Sequence, residues 1–409
     1  MGRPPVFAAF RLGAWRLLGG YTGDSATMGL LDQAFWAYKR ENPLTGRRGA
    51  RRLLADALSV GRHPVGGSAE HATATMVFLG DIMPLRPFCE TMPKVELAPE
   101  VTSALGADAL FANLEGPVGD AAAAGDGGGL LGGAPRLAMT DAELAVHLEY
   151  LRASEGSLVM ATANNHAWDL GVEGVRRTVE TLRRRGVTAA GTWTTADHAA
   201  DFVVAAVGRH RVGVVPFTFG TNGLHGPAQD RAMVNVAGLN ERDVGAAGDR
   251  LEAAIREARS AGSGLVVVSL HWGLEFEWYP TERQIGLARR LVDAGADIVW
   301  GHHPHVIQPV EVRKRRANHG AGVIVYSAGN LITPVLTPHT RLSVAVRVGV
   351  VCAGDHLRVH DVEVIPLVLS PGQRCDHYRL DTLAGMTDRA DAAVITDHLR
   401  VPIPSPRPS

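Results

Sequence analysis

Five short apolar runs set the rhythm of this chain. Residues 75–79 end at Gly80-Asp81, 109–112 run into Asn113-Leu114-Glu115, and 158–161 precede Asn164-Asn165-His166. Residues 265–270 lead to His271-Trp272-Gly273, and 297–300 to Gly301-His302-His303-Pro304-His305. Continuous apolar runs of this length predict buried strands. Each delivers polar, ligand-capable residues just past its carboxyl end, the place where open α/β sheets carry their sites.

Between these runs the period becomes helical. Val172, Val175, Val179 and Leu182 make one apolar face before Arg183-Arg184-Arg185, whose charges suit a helix C-terminus. Residues 251–261 and 285–294 read as further helices. Residues 202–207 and 212–219, joined at Gly208-Arg209-His210, predict a β-hairpin, and 323–326, 342–351 and 357–365 predict more antiparallel strands. Strand–helix alternation mixed with hairpins predicts an α/β sandwich with two mixed β-sheets rather than one parallel wound sheet. Residues 1–72 read as a helical N-terminal extension, with apolar stripes over 29–38 and 51–58 and a Gly/Pro linker over 61–68. Residues 73–370 form the main domain, 121–133 an Ala/Gly loop within it, and 371–409 a last helix and tail.

Composition narrows the classes. With 409 residues and 46% hydrophobic content, the chain can bury a large core in one α/β unit with extensions. A formal net charge of −1 argues against a general nucleic-acid or anionic-membrane binder. Cys89, Cys352 and Cys375 have neither a metal-type spacing nor the numbers for a disulfide framework. Arg11 and Arg16 interrupt the apolar residues of the N-terminus, and no apolar run is long enough to cross a bilayer. The expectation is a soluble, cytoplasmic protein with no membrane anchor and no nucleic-acid partner.

The polar residues at the strand ends share a chemistry. Asp81, Glu115, Asn165, His271, His303 and His305 are all oxygen or nitrogen donors, and none is a thiolate. That mixture suits one or two divalent ions (Mn, Fe, Zn or Mg) sharing a carboxylate, as in two-metal hydrolases. The motifs, in order, are Gly80-Asp81-Ile82-Met83 with Arg86, Asn113-Leu114-Glu115-Gly116-Pro117, and Ala163-Asn164-Asn165-His166-Ala167-Trp168-Asp169. They continue with His271-Trp272-Gly273-Leu274-Glu275-Phe276, Gly301-His302-His303-Pro304-His305 and Tyr326-Ser327-Ala328-Gly329-Asn330. This series resembles the calcineurin-like metallophosphoesterase superfamily and, within it, the poly-γ-glutamate capsule synthesis (CapA) family, over residues 75 to 335.

The resemblance implies a four-layer αββα sandwich and a role for each matching residue. Asp81 and Glu115 would be carboxylate ligands, with Glu115 bridging. Asn165, His271 and His303 would complete one metal, and Asp81 and His305 would hold the other. His166 would be the general acid, oriented by Asp169, and Arg86 would clamp an anionic group of the substrate. Glu275, Glu277 and Tyr279 are candidates for the substrate cleft, an ordinary polar loop being the alternative, and Trp168, Trp272 and Trp300 are expected to wall the site. His302 has no ligand role and supports its loop. Met83 stands where the wider superfamily carries a metal-binding histidine, and a thioether is a poor ligand for hard ions; the first metal is therefore expected to be held weakly. The implied activity is metal-dependent hydrolysis of a phosphoester or related polar bond in a small-molecule or peptide-like anionic substrate. The alternatives are amide hydrolysis or transfer on γ-glutamyl peptides, and a non-catalytic part in polymer assembly.

Overall fold

The computed structural model describes residues 23–44, 48–65, 72–85, 92–120, 135–152, 156–315, 320–354, 356–372 and 376–382. In chain order, helices α1 (Leu30–Glu41) and α2 (Arg48–Leu53) lead to strand β1 (Gly61–Pro64). Next come β2 (Ala74–Ile82), β3 (Lys94–Leu97), α3 (Pro99–Leu105), β4 (Ala109–Leu114), α4 (Asp141–Leu151), β5 (Ser157–Ala161), α5 (Gly171–Arg184) and β6 (Thr188–Ala190). The hairpin β7 (Val203–Val207) and β8 (His210–Thr218) opens the second half, followed by α6 (Gly245–Ser260), β9 (Leu265–His271), α7 (Glu282–Asp293), β10 (Ile298–His302), β11 (Val310–Lys314) and β12 (Ala321–Val325). Strands β13 (Asn330–Ile332), β14 (Leu342–Ala353), β15 (His356–Pro371) and β16 (His377–Thr382) finish it.

These strands form two mixed sheets. The larger runs β3-β16-β15-β14-β2-β4-β5-β6, with β1 on β15 and β13 on β2; the smaller runs β11-β12-β10-β9-β8-β7. Strand periodicity sorts the side chains into three apolar layers. Met76 and Phe78 of β2 and Phe111 of β4 meet Val214, Val267, Ile298 and Trp300 of the smaller sheet in a core between the sheets. Phe78 stacks on Phe111 at 4.7 Å, and the Trp300 indole donates across the sheets to the Leu79 carbonyl at 2.9 Å. The alternate residues Val77 and Leu79, with Leu110 and Met160, face Val101 of α3, Leu148 of α4 and Leu182 of α5. On the far side, Val266, Val268 and Val299 face Leu251 and Ile255 of α6 and Ile285 and Leu291 of α7. The result is helix, sheet, sheet, helix, as the resemblance implied.

Local chemistry places the helices. Thr281 caps α7 through a reciprocal capping box with Gln284, and Thr140 caps α4 by accepting from the Glu143 amide. Helix α5 buries Val175, Val179 and Leu182 and ends on Arg183 and Arg184.

The structure departs from the sequence reading at both boundaries. The stretch read as a linker over 61–68 contains β1, whose residues pair with Asp361–Val364 of β15. Residues 377–382, assigned to a last helix and tail, form a strand between β15 and β3. Extended segments with too little apolar pattern to be noticed are strands here because a sheet edge offers them backbone partners. The positions expected for the last helix, together with Arg86, Cys89, Cys375 and 121–133, lie outside the described residues. Among the described residues no helix is long and apolar enough to cross a membrane.

Candidate metal centre

The site lies where the carboxyl ends of both sheets meet. In the larger sheet, register aligns Asn330 of β13, Asp81 of β2 and Asn113 of β4 in one row. In the smaller sheet it aligns His302 of β10, His271 of β9 and Thr218 of β8. Asp81 owes its direction to an irregularity. Phe78 pairs with Phe111, but Asp81 pairs with Asn113, so β2 carries one extra residue there. Strict alternation would turn Asp81 towards the helices with Val77 and Leu79; the bulge turns it between the sheets. Gly80 makes this possible, since a Cβ there would lie 2.0 Å from the Gly329 carbonyl oxygen. Gly301 has the same duty in β10, at 2.0 Å from the Tyr326 carbonyl oxygen. Beyond it the chain turns sharply: His303 and His305 have φ of 100° and 55°. Side-chain-bearing residues rarely occupy that region away from functional sites.

All six proposed ligands come together. Glu115, His271 and His303 each offer an atom within 4.8 Å of the others, and so do Asp81, Glu115 and His305. Glu115 is thus common to both groups. Asn165 joins the first, its Oδ1 lying 2.7 Å from His271 Nε2. Asp81 accepts from Asn113 Nδ2 at 2.8 Å and from the His303 amide at 3.2 Å, and His305 Nδ1 lies 3.3 Å away. His305 Nδ1 also meets Asn330 Oδ1 at 2.8 Å. His302 is consumed elsewhere: Nδ1 faces His271 Nδ1 at 2.8 Å and Nε2 faces Ser269 Oγ at 3.0 Å, a chain that holds the His271 ring from behind. His166 Nδ1 lies 2.7 Å from Asp169 Oδ2, which also accepts from the Leu137 amide at 2.6 Å.

Electrostatics follow from this burial. Burial pushes the Glu115 carboxyl up to about 8, against the pull of His305. Burial raises Asp81 too, but the hydrogen bond and positive charge of His305 outweigh it and hold Asp81 below the ordinary carboxylate value. Burial and then the surrounding imidazoles keep His271 and His303 well below the usual histidine range, hence neutral and free to ligate. Burial alone takes His302 down to about 4. For His305 the burial effect is overcome by Glu115 and Asp81, which raise it to about 10. For His166 burial is overcome mainly by Asp169, and the ring is pushed up.

These residues fit divalent ions by a direct criterion. Among the described residues, both oxygens of Glu115 and both ring nitrogens of His303 are buried without a hydrogen-bond partner. Buried polar atoms are nearly always paired, so orphans demand an explanation. A cation held between them would supply it, and the all-oxygen-and-nitrogen donor set suits Mn, Fe, Zn or Mg.

Several functional neighbours escaped the sequence reading. Asn113 and Asn330 steady Asp81 and His305, yet only the register shows it. Phe219, with its ring 4.7 Å from that of His303, walls the site on one side, and nothing in its local sequence marks it. The tryptophans do not fill the expected role: Trp300 belongs to the core between the sheets, Trp272 to the core under α6 and α7, and Trp168 to a small cluster with Val175 and Met233. Large apolar rings at strand ends are worth most in a core. Met83 is buried, its sulfur accepting from Thr333 Oγ1 at 3.5 Å. Glu275 reaches the centre, within 4.8 Å of ligand atoms of His303 and His305.

A two-sheet αββα sandwich with a shared buried carboxylate at the strand ends defines the class. Residues 75–335 match the model of the bacterial capsule synthesis protein PGA_cap family, and the chain belongs to that family. It is similar to the capsule biosynthesis protein CapA of Bacillus anthracis, 31% identical over 223 residues, covering 53% of this chain and 49% of that protein. It is also similar to the PGA biosynthesis protein CapA of Bacillus subtilis, 34% identical over 175 residues, covering 42% of each. The chain thus spans half or less of the length of these relatives. Among solved structures, the calcineurin-like phosphoesterase YfkN from Bacillus subtilis covers 80% of this chain and 96% of its own at 10% identity, with a TM-score of 0.34.

Proposed function

We propose that the chain is a metal-dependent hydrolase of this family, acting on an anionic, peptide-like or small-molecule substrate. The observation that carries the reading is Glu115, shared by two ligand groups and buried with neither oxygen hydrogen-bonded among the described residues. Glu115, Asn165, His271 and His303 would hold one ion, and Asp81, Glu115 and His305 a second. When bound, a divalent ion supplies Lewis acidity and lowers the pKa of water. His166 would protonate the leaving atom: Asp169 accepts from Nδ1, which fixes the tautomer and raises the ring's basicity, so Nε2 is the atom that delivers the proton. Phe219 and the buried strand ends limit water around these groups, which strengthens every charge interaction among them. Arg86 remains the proposed anchor for an anionic group.

A second reading, amide hydrolysis or transfer on γ-glutamyl peptides, is favoured by the names of the relatives, which concern capsule and PGA biosynthesis. One experiment separates the readings. Metal content of the purified chain is measured, and Mn-loaded protein is offered aryl phosphates and γ-glutamyl peptides in parallel. Phosphate release supports the first reading and peptide cleavage the second. Function that survives His166→Ala but not His271→Ala would instead leave a metal-dependent scaffold without catalysis.

A further inference from the structure

Helix α1 lies outside residues 75–335, the part that matches the family, yet its side chains contact the loop that carries Glu275. Trp36 and Lys39 stand three residues apart, hence on one helix face. They meet alternate carboxylates of the loop after β9. The Trp36 indole Nε1 donates to Glu275 Oε2, and Lys39 Nζ lies 3.4 Å from Glu277 Oε1 in a fully buried pair. Between the two carboxylates Phe276 sits at φ 59°, a conformation that a bulky residue adopts only when its surroundings enforce it. Its ring packs edge-on to Trp36 at 5.6 Å and lies 6.1 Å from the His305 ring. The backbone continues the clamp: the Leu44 amide donates to Phe276 O at 3.0 Å, Trp278 donates to Leu44 O at 3.1 Å, and Phe276 donates to Pro304 O at 2.8 Å. The loop is therefore held by α1 on one side and by the histidine turn on the other.

A half-buried glutamate left to itself would turn its carboxylate to water, since fixing a long side chain costs entropy. Here the indole donor removes that freedom, and the carboxylate, His303 and His305 offer atoms within 4.8 Å of one another. We propose that α1 is an integral wall of the centre, in which Trp36 is a positioning residue that aims Glu275 at His303 and His305 as a third carboxylate ligand. This rests on the metal-centre reading above and extends it to a segment outside the family core.

The test is a cobalt(II) titration of the full chain and of W36F, E275Q and W36F/E275Q, read by calorimetry and by the visible d–d absorption. W36F keeps an aromatic ring and removes the indole donor together with the five-membered ring that carries it. Loss of a partner that orients a ligand weakens metal binding by about 10-fold, so W36F should show that loss with an altered band. E275Q should show at least as much, and the double variant no more than E275Q, because Trp36 acts through Glu275. A merely structural tryptophan would lower Tm and leave affinity and band unchanged; that result, or losses that multiply in the double variant, overturns the proposal. If W36F does not fold, E275Q decides alone, and wild-type cobalt binding in E275Q overturns it. A wild-type chain that takes up no cobalt overturns the metal-centre reading and this inference with it, whereas wild-type uptake with unchanged variants overturns the inference only.

Discussion

On one side of Glu115 stand His271 and His303, on the other Asp81 and His305, and the two pairs differ in how far the protein itself satisfies them. Among the described residues, both nitrogens of His303 are buried without a hydrogen bond. Asp81 instead takes hydrogen bonds from Asn113 and the His303 amide, while His305 Nδ1 is shared between Asn330 and Asp81. An ion on the first side gains His303, whose ring nitrogens have no hydrogen bond, while His271 Nε2 gives up its contact with Asn165 Oδ1. On the second side it would share Asp81 with hydrogen-bond donors already in place, each bond worth about 0.5–1.5 kcal/mol. Met83, engaged with Thr333, adds no donor near Asp81. If the cluster holds two ions, the difference between the two pairs would make the sites unequal, with the asymmetry set by the hydrogen bonds around Asp81 and His305.

The largest effect is expected from the close-approach glycines. Gly80→Ala and Gly301→Ala each place a Cβ 2.0 Å from a carbonyl oxygen, and overpacking of this kind should cost about 3 kcal/mol or more, read by denaturant unfolding. Where the variants still fold, Gly80→Ala should disturb the Asp81 side and Gly301→Ala the histidine turn. Next comes the ligand contrast. His303→Ala should weaken the tighter metal equivalent by about 100-fold or more, since even outer partners are worth 10–100-fold, while His305→Ala should leave that equivalent within about 10-fold. The reverse order in calorimetry would break the comparison. Chelation should remove the stability that bound metal supplies by mass action, about 2.7 kcal/mol at a metal concentration 100 times Kd, and so lower the Tm of the wild-type chain. Glu115→Gln, which removes the charge common to both groups, should abolish that dependence. The smallest effect is expected from Asn330→Ala, which leaves His305 Nδ1 to Asp81 alone; it should alter only the weaker equivalent, by about 10-fold.

Much of this site was legible because apolar runs announce buried strands and the polar residues that follow them are where such sheets expose chemistry. The runs ending at Asp81, Glu115, His271 and the histidine turn were readable on that ground alone. The direction of Asp81 was not, because a bulge is visible only against the partner strand that it slips along. The tryptophans misled for a related reason: their position beside the motifs fits either a wall or a core, and only packing separates the two. Strand β1 carries no apolar signature, since an edge strand is held by backbone hydrogen bonds that any residue can make. Strand β16, paired on both sides, offers only Tyr378 and Leu380 as an apolar pattern, too short to be noticed. Trp36 lies so far from the motifs in sequence that no local pattern could connect it with Glu275.

Taken alone, the order of residues determines the supply of donors, their hardness as ligands and the strands that carry them, because hydrophobic period and ligand chemistry are local properties. Tertiary structure alone decides which carboxylate is shared, which imidazole among the described residues is left without a hydrogen bond, and that a helix outside the matched core contacts Glu275. Those outcomes depend on distances and desolvation, which exist only once two sheets have closed over the same few side chains.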